Sequence, residues 1–145
     1  MLFRSNYQES AEKCRNSVLS TVISASHTPQ IAGFLDEAEW NTAQNGFPSY
    51  QRSWLGGYQD GSSNSDQWKW PEGATPGQPV CFMNCSPDPD LYNNFRQNEP
   101  NGNNEKVVQT YGDGTWNDAG EDENANPQGE PYQDYSFWCQ IRLFV

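Results

Sequence analysis

Basic residues are scarce in this chain. Eight Lys and Arg face nineteen Asp and Glu over 145 residues, a formal charge of -11. A surface so charged repels nucleic acid phosphates and anionic membranes, so neither is an expected partner. Histidine occurs once, as His27 beside no other ligand type, and it is assigned no chemistry. A lone His with a single C-x3-C makes a poor zinc set. No apolar run is long enough to span a bilayer. Met1-Leu2-Phe3-Arg4 is followed by no apolar h-region, so it is not read as a signal peptide. Oligomerisation heptads and internal repeats are missing, and the length is that of one ordinary domain, 1–145.

Aromatic residues, by contrast, are plentiful. Six Trp, seven Tyr and seven Phe bury much area per residue. They predict a folded domain with a small aromatic core, despite the many Asn, Gly, Ser and Pro. Four cysteines, Cys14, Cys81, Cys85 and Cys139, allow three pairings. Cys14 with Cys139 is preferred, leaving Cys81 with Cys85. A link closing nearly the whole chain contributes on the order of 4–5 kcal/mol in the chain-entropy model. It implies an oxidising, extracellular or cell-surface setting. Asn84-Cys85-Ser86 fits a glycosylation sequon. A bridged Cys and a following Pro argue against its use.

Along the chain, Asn6 and Glu9 suit a capping box, with Tyr7, Ala11 and Cys14 on one helical face. Thr28 and Pro29 predict the start of a second helix with the stripe Ile31, Phe34, Leu35 and Ala38. Trp54-Leu55-Gly56-Gly57 reads as a short buried strand. From Tyr58 to Asn104 periodicity is weak, which predicts one long loop. Val107–Tyr111, the turn Gly112-Asp113-Gly114 and Thr115-Trp116 read as a hairpin. Glu121–Glu130 reads as a solvated loop. Alternation from Tyr135 to Val145, through Phe137, Cys139, Ile141 and Leu143, predicts one closing strand.

The chemistry concentrates in Glu99-Pro100-Asn101, then Glu105, then Trp116-Asn117-Asp118. These residues supply three carboxylates and two side-chain amides, the oxygen donors that calcium favours. Pro100 fixes its own φ and restricts Glu99, so the flanking side chains are aimed together. A cis bond there would turn both toward one point. Buried, Trp116 would anchor Asn117 and Asp118. Asp60, Asp66, Asp88 and Asp90 are further acids in the loop, read as turn caps before ligands.

The whole pattern resembles the C-type lectin-like domain. Ala11 and Cys14 stand where that family has an Ala and its first Cys. Trp54-Leu55-Gly56-Gly57 is similar to its W-I-G-x strand, and Trp68-Lys69-Trp70-Pro71-Glu72-Gly73 to its W-x-W-x-x-G. Tyr92-Asn93-Asn94-Phe95 matches Y-x-N-W with Phe for Trp. Glu99-Pro100-Asn101, Trp116-Asn117-Asp118 and Phe137-Trp138-Cys139 complete the series.

The resemblance implies an α+β double-loop fold with two helices, small antiparallel sheets and a long calcium-binding loop. It likewise implies the Cys14–Cys139 bridge. It implies one Ca2+ held by Glu99, Asn101, Glu105, Asn117 and Asp118. Glu99, Asn101, Glu105 and Asn117 would also bind sugar. E-P-N goes with mannose, fucose, glucose and N-acetylglucosamine, glycans with equatorial 3- and 4-hydroxyls. No enzymatic activity is implied. The alternative is a structural, protein-binding or ice-binding module in which calcium only shapes the loop.

Two departures matter. The family's inner disulfide is missing, its positions falling near Val107 and Glu121. Gly102 and Lys106 replace acids of the auxiliary calcium site, so a single ion is expected.

Overall fold

The computed structural model describes residues 7–16, 30–46, 52–61, 63, 65–102, 104–120 and 136–140. Helix α1 spans Tyr7–Arg15 and buries Cys14 and Ser10. The Tyr7 hydroxyl donates to the Gly56 carbonyl at 2.9 Å, tying α1 to the sheet. Its expected cap, Asn6, lies outside the described residues. So do His27, Thr28, Pro29, the loop 121–130 and the chain end beyond Gln140.

The second helix does not follow the expected stripe. Gln30–Ile31 form strand β1, and helix α2 spans Glu37–Gly46. The start signal is local. Asp36 Oδ1 accepts from the Glu39 amide at 2.8 Å, while Glu39 Oε2 accepts from the Leu35 amide at 2.9 Å. This reciprocal cap starts the helix at Glu37. Phe34 still reaches the core, but from irregular chain. Gly33 permits that path, because a Cβ there would lie 2.9 Å from the Trp70 side chain. Asp36→Ala is expected to cost ~1 kcal/mol. Chemical denaturation checks it; an unchanged midpoint would mean the cap does not set this helix.

Strand β2, Ser53–Asp60, runs beyond the expected glycines. The presumed single loop also contains β3, Gln67–Trp70, and β4, Val80–Met83. Both are short, yet their inward residues Trp68, Trp70 and Phe82 are essentially buried. Aromatic burial, rather than strand length, holds them in place. Strands β5, Val107–Thr110, and β6, Trp116–Ala119, form the expected hairpin. The sheet order is β4-β3-β2-β5-β6.

The predicted closing strand is split. Ser136–Phe137, β7, pairs parallel with β2, and Cys139–Gln140, β8, pairs antiparallel with β1. Trp138 divides them. Its amide donates to the Trp54 carbonyl at 3.3 Å, and its carbonyl accepts from Ala32 at 2.7 Å.

Cys14–Cys139 and Cys81–Cys85 are both bridged. Val107, where the family's inner disulfide is missing, is fully buried with Trp54, Ile31 and Ala119. The larger core centres on Trp116, whose ring meets those of Trp40 and Trp70 edge-on at 5.3 Å each.

Candidate functional site

Trp116 begins the hairpin's return strand and carries Asn117 and Asp118 behind it. Burial of its ring fixes where those two residues stand. The preceding loop is fastened to the same strand by backbone bonds. Trp116 donates to the Asn94 carbonyl at 2.8 Å, and Arg96 donates to the Trp116 carbonyl at 2.9 Å. The Asn94 side chain donates to Gly114 O at 2.8 Å, at the hairpin turn. The Glu99 amide then bonds the Arg96 carbonyl at 2.9 Å, closing a turn that delivers Glu99 to the hairpin.

Glu99–Pro100 is a cis peptide. Asp118, 1% exposed, receives the next stretch of loop. Its Oδ1 accepts from the Asn101 amide at 3.1 Å and its Oδ2 from the Gly102 amide at 2.7 Å. Loop and hairpin meet on this one carboxylate. Glu99 lies beside it. Burial, then the Asp118 charge and a carboxyl–carboxylate hydrogen bond to Asp118 that only protonated Glu99 can donate, push the Glu99 carboxyl above its ordinary 4.5, with the Tyr111 hydroxyl and Arg96 opposing. Glu99 Oε1 accepts from Tyr111 Oη at 3.4 Å, while Oε2 is buried with no hydrogen-bond partner.

Glu105 folds back over Gly102, where a side chain in place of hydrogen would strike its carboxylate. Asn101 is exposed. Asn117 is half-buried and pairs with Gln109 across the ladder. The structure therefore brings Glu99 and Asp118 together, with the Asn101 backbone on Asp118 and Glu105 close against the loop. Among the described residues, no three His, Cys, Asp or Glu side chains form a group that could hold a metal unaided.

The donor set nonetheless fits a cation. Two adjacent carboxylates, one with an orphaned buried oxygen, make no ion pair with a basic side chain among the described residues, and only Arg96 offsets Glu99. The residues present are hard oxygen donors, the kind calcium takes. At the auxiliary positions, Gly102 offers no side chain. Asp66 Oδ2 accepts from Ser63 N at 2.6 Å, Asp60 pairs with Lys69, and Asp90 accepts from Cys85 N at 2.8 Å. Those three acids serve local turns and pairs.

Tyr111, Arg52 and Arg96 were not legible as site residues in the sequence. The Arg96 guanidinium lies 5.0 Å and that of Arg52 5.2 Å from the Tyr111 ring centroid. Burial, then Glu99, raises the Tyr111 hydroxyl pKa, and the two arginines oppose the rise. No motif links three residues so far apart in the chain.

No protein-family profile matches the sequence, and no curated protein matches it. Solved structures do. One is an EPNH mutant of CEL-I, a C-type lectin from Cucumaria echinata, at 16% identity and TM-score 0.61, covering 98% of this chain and 86% of that one. The cow C-type carbohydrate-recognition domain of CD23, solved in the presence of a GlcNAc2Man3 oligosaccharide, is 19% identical at TM-score 0.56. That match covers 98% and 83% of the two chains. Herring type II antifreeze protein is 13% identical at TM-score 0.53, covering 95% and 81%.

Proposed function

We propose that this chain, which has the C-type lectin-like fold, is a single carbohydrate-recognition domain that binds mannose-type glycans with the help of one calcium ion. The observation that carries the reading is the buried, unpartnered oxygen of Glu99 set against Asp118. Glu99, Asn101, Glu105, Asn117 and Asp118 would hold the ion. When bound, calcium neutralises these carboxylates and offers open coordination positions to a pair of neighbouring hydroxyls. Glu99 would accept a hydrogen bond from one hydroxyl, and the Asn101 amide would donate to the other. Glu105 and Asn117 complete the polar rim. Glycans with equatorial 3- and 4-hydroxyls suit that order of acceptor and donor. Solved relatives in fold include carbohydrate-recognition domains, one of them solved with a mannose-containing oligosaccharide.

The same reading describes a binding module rather than an enzyme. Carboxylates neutralised by calcium make poor general acids. Two disulfides suit a secretory-pathway protein. Among the described residues, no helix is long and apolar enough to cross a membrane. A site of this shallow kind binds weakly alone, so clustering of several copies would supply avidity.

Acid should release the sugar. The Glu99 carboxyl is pushed up by burial and by Asp118, so the calcium-free fold takes its proton readily. In that form the group's stabilising contribution is present at low pH and is lost as pH rises through its folded value. The calcium-loaded form behaves oppositely, because protons compete with the ion. Retention on immobilised mannan should therefore fall as pH drops toward the carboxylate range, and more calcium should move the fall to lower pH. Retention unchanged at about pH 4, near the reference carboxylate values, would rule out a calcium-bridged sugar.

A further inference from the structure

We infer that the rim of this site selects glycans bearing an anionic substituent, a sulfate or a carboxylate, through Arg52 and Arg96. The inference rests on the calcium-dependent sugar reading given above. In a chain of net charge -11, arginines would be expected to be taken up by carboxylates. Among the described residues these two are not ion-paired; both guanidiniums lie against the Tyr111 ring. A guanidinium held against an aromatic face keeps its in-plane N–H donors available, in a fork that matches two oxygens of one oxyanion. Arg96 is exposed and Arg52 half-buried, so their donors can reach a ligand from the rim.

Tyr111 couples this pair to the calcium site. Its hydroxyl donates to Glu99, so the arginines stand one side chain away from the sugar-binding carboxylate. The acids that face them are Glu99, with Asp118 behind it, and Asp113. Asp113 is already engaged, accepting from the Thr115 amide at 2.9 Å and from the Thr115 hydroxyl at 2.6 Å. Without calcium, the Glu99 charge partly offsets that of Arg96, and Glu99 with Asp118 leaves this rim negative. With their charge met by calcium, the arginines become the uncompensated charges of the rim. An anion on the sugar would then be attracted where the bare site repels it.

The test uses matched glycans of the mannose type, identical except for one added group: none, a sulfate ester, or a carboxylate. Affinities are measured in calcium at low and at high salt, and in chelator. In calcium at low salt, at least one anionic glycan should bind roughly tenfold more tightly than its neutral match, the worth of one charge-assisted contact. The preference should shrink to within about twofold in ~1 M salt, where the screening length is about 3 Å. It should shrink likewise in the Arg52→Gln/Arg96→Gln double variant, and Arg52→Lys/Arg96→Lys should retain part of it. Should the double variant not fold, the salt dependence of the unaltered chain decides. Equal affinity across all three glycans, with calcium-dependent binding intact, overturns this inference alone. Loss of binding to all three overturns the sugar reading as well. An anionic preference unchanged in chelator overturns the link to calcium.

Discussion

Calcium is expected to raise the melting temperature of the calcium-free chain by roughly 5–10 °C. An ion present at about 100 times its dissociation constant stabilises the fold by about 2.7 kcal/mol, because only the folded state gathers the ligands. For a domain near this size each kcal/mol moves the midpoint by roughly 2–4 °C. The physical origin lies in Glu99 and Asp118. Folding pushes the two carboxylates together and buries an oxygen of one without a partner. The ion removes that penalty. Asp118→Ala should abolish most of the shift. It should also lower the calcium-free midpoint, since Asp118 holds the Asn101 and Gly102 amides. The informative quantity is therefore the shift, not the absolute temperature. Titration should saturate at one ion per chain, because Gly102 and Lys106 take the auxiliary acidic positions. An identical melting point in calcium and in chelator would remove the site assignment.

The second large effect is expected in sugar choice. Glu99→Gln with Asn101→Asp keeps the net charge and the number of side-chain oxygens, but reverses acceptor and donor around Pro100. A carboxylate only accepts, whereas an amide NH2 donates. Each sugar hydroxyl must then point its proton the other way. Mannose should weaken by about 1–3 kcal/mol through mispaired polar groups. Galactose, which the reversed order accompanies in the family whose motifs this chain resembles, should gain weak binding. The calcium-induced thermal shift should survive in the double variant. Competition between the two sugars checks the outcome. Undiminished mannose affinity in a variant that still takes calcium would mean that the sugar sits elsewhere.

The two halves of the proposed site could be picked out in the sequence because each is short and contiguous. Glu99-Pro100-Asn101 and Trp116-Asn117-Asp118 each carry donors next to a residue that fixes them, and the fold places Glu99 beside Asp118. What remained hidden depends on contacts between distant segments. The start of α2 is obscured because Ile31, Phe34, Leu35 and Ala38 have helical spacing, yet Asp36 and Glu39 form the cap. Strands β3 and β4 are four residues each, flanked by Gly, Pro and Ser, and only the burial of Trp68, Trp70 and Phe82 marks them. The alternation before Val145 is real, but Trp138 hydrogen-bonds to two different segments and breaks the strand. Arg52, Arg96 and Tyr111 belong to three separate stretches that only the sheet and the loop bring together.

Binding to a panel of glycans, measured with calcium and again with chelator, tests the central claim most directly. Glycans with equatorial 3- and 4-hydroxyls, mannose-type structures first, should be retained in calcium and released when the chelator is added. An ice-binding or purely structural module on the same fold would retain none of them. Absence of glycan binding in calcium, or binding that the chelator leaves unchanged, would contradict the account.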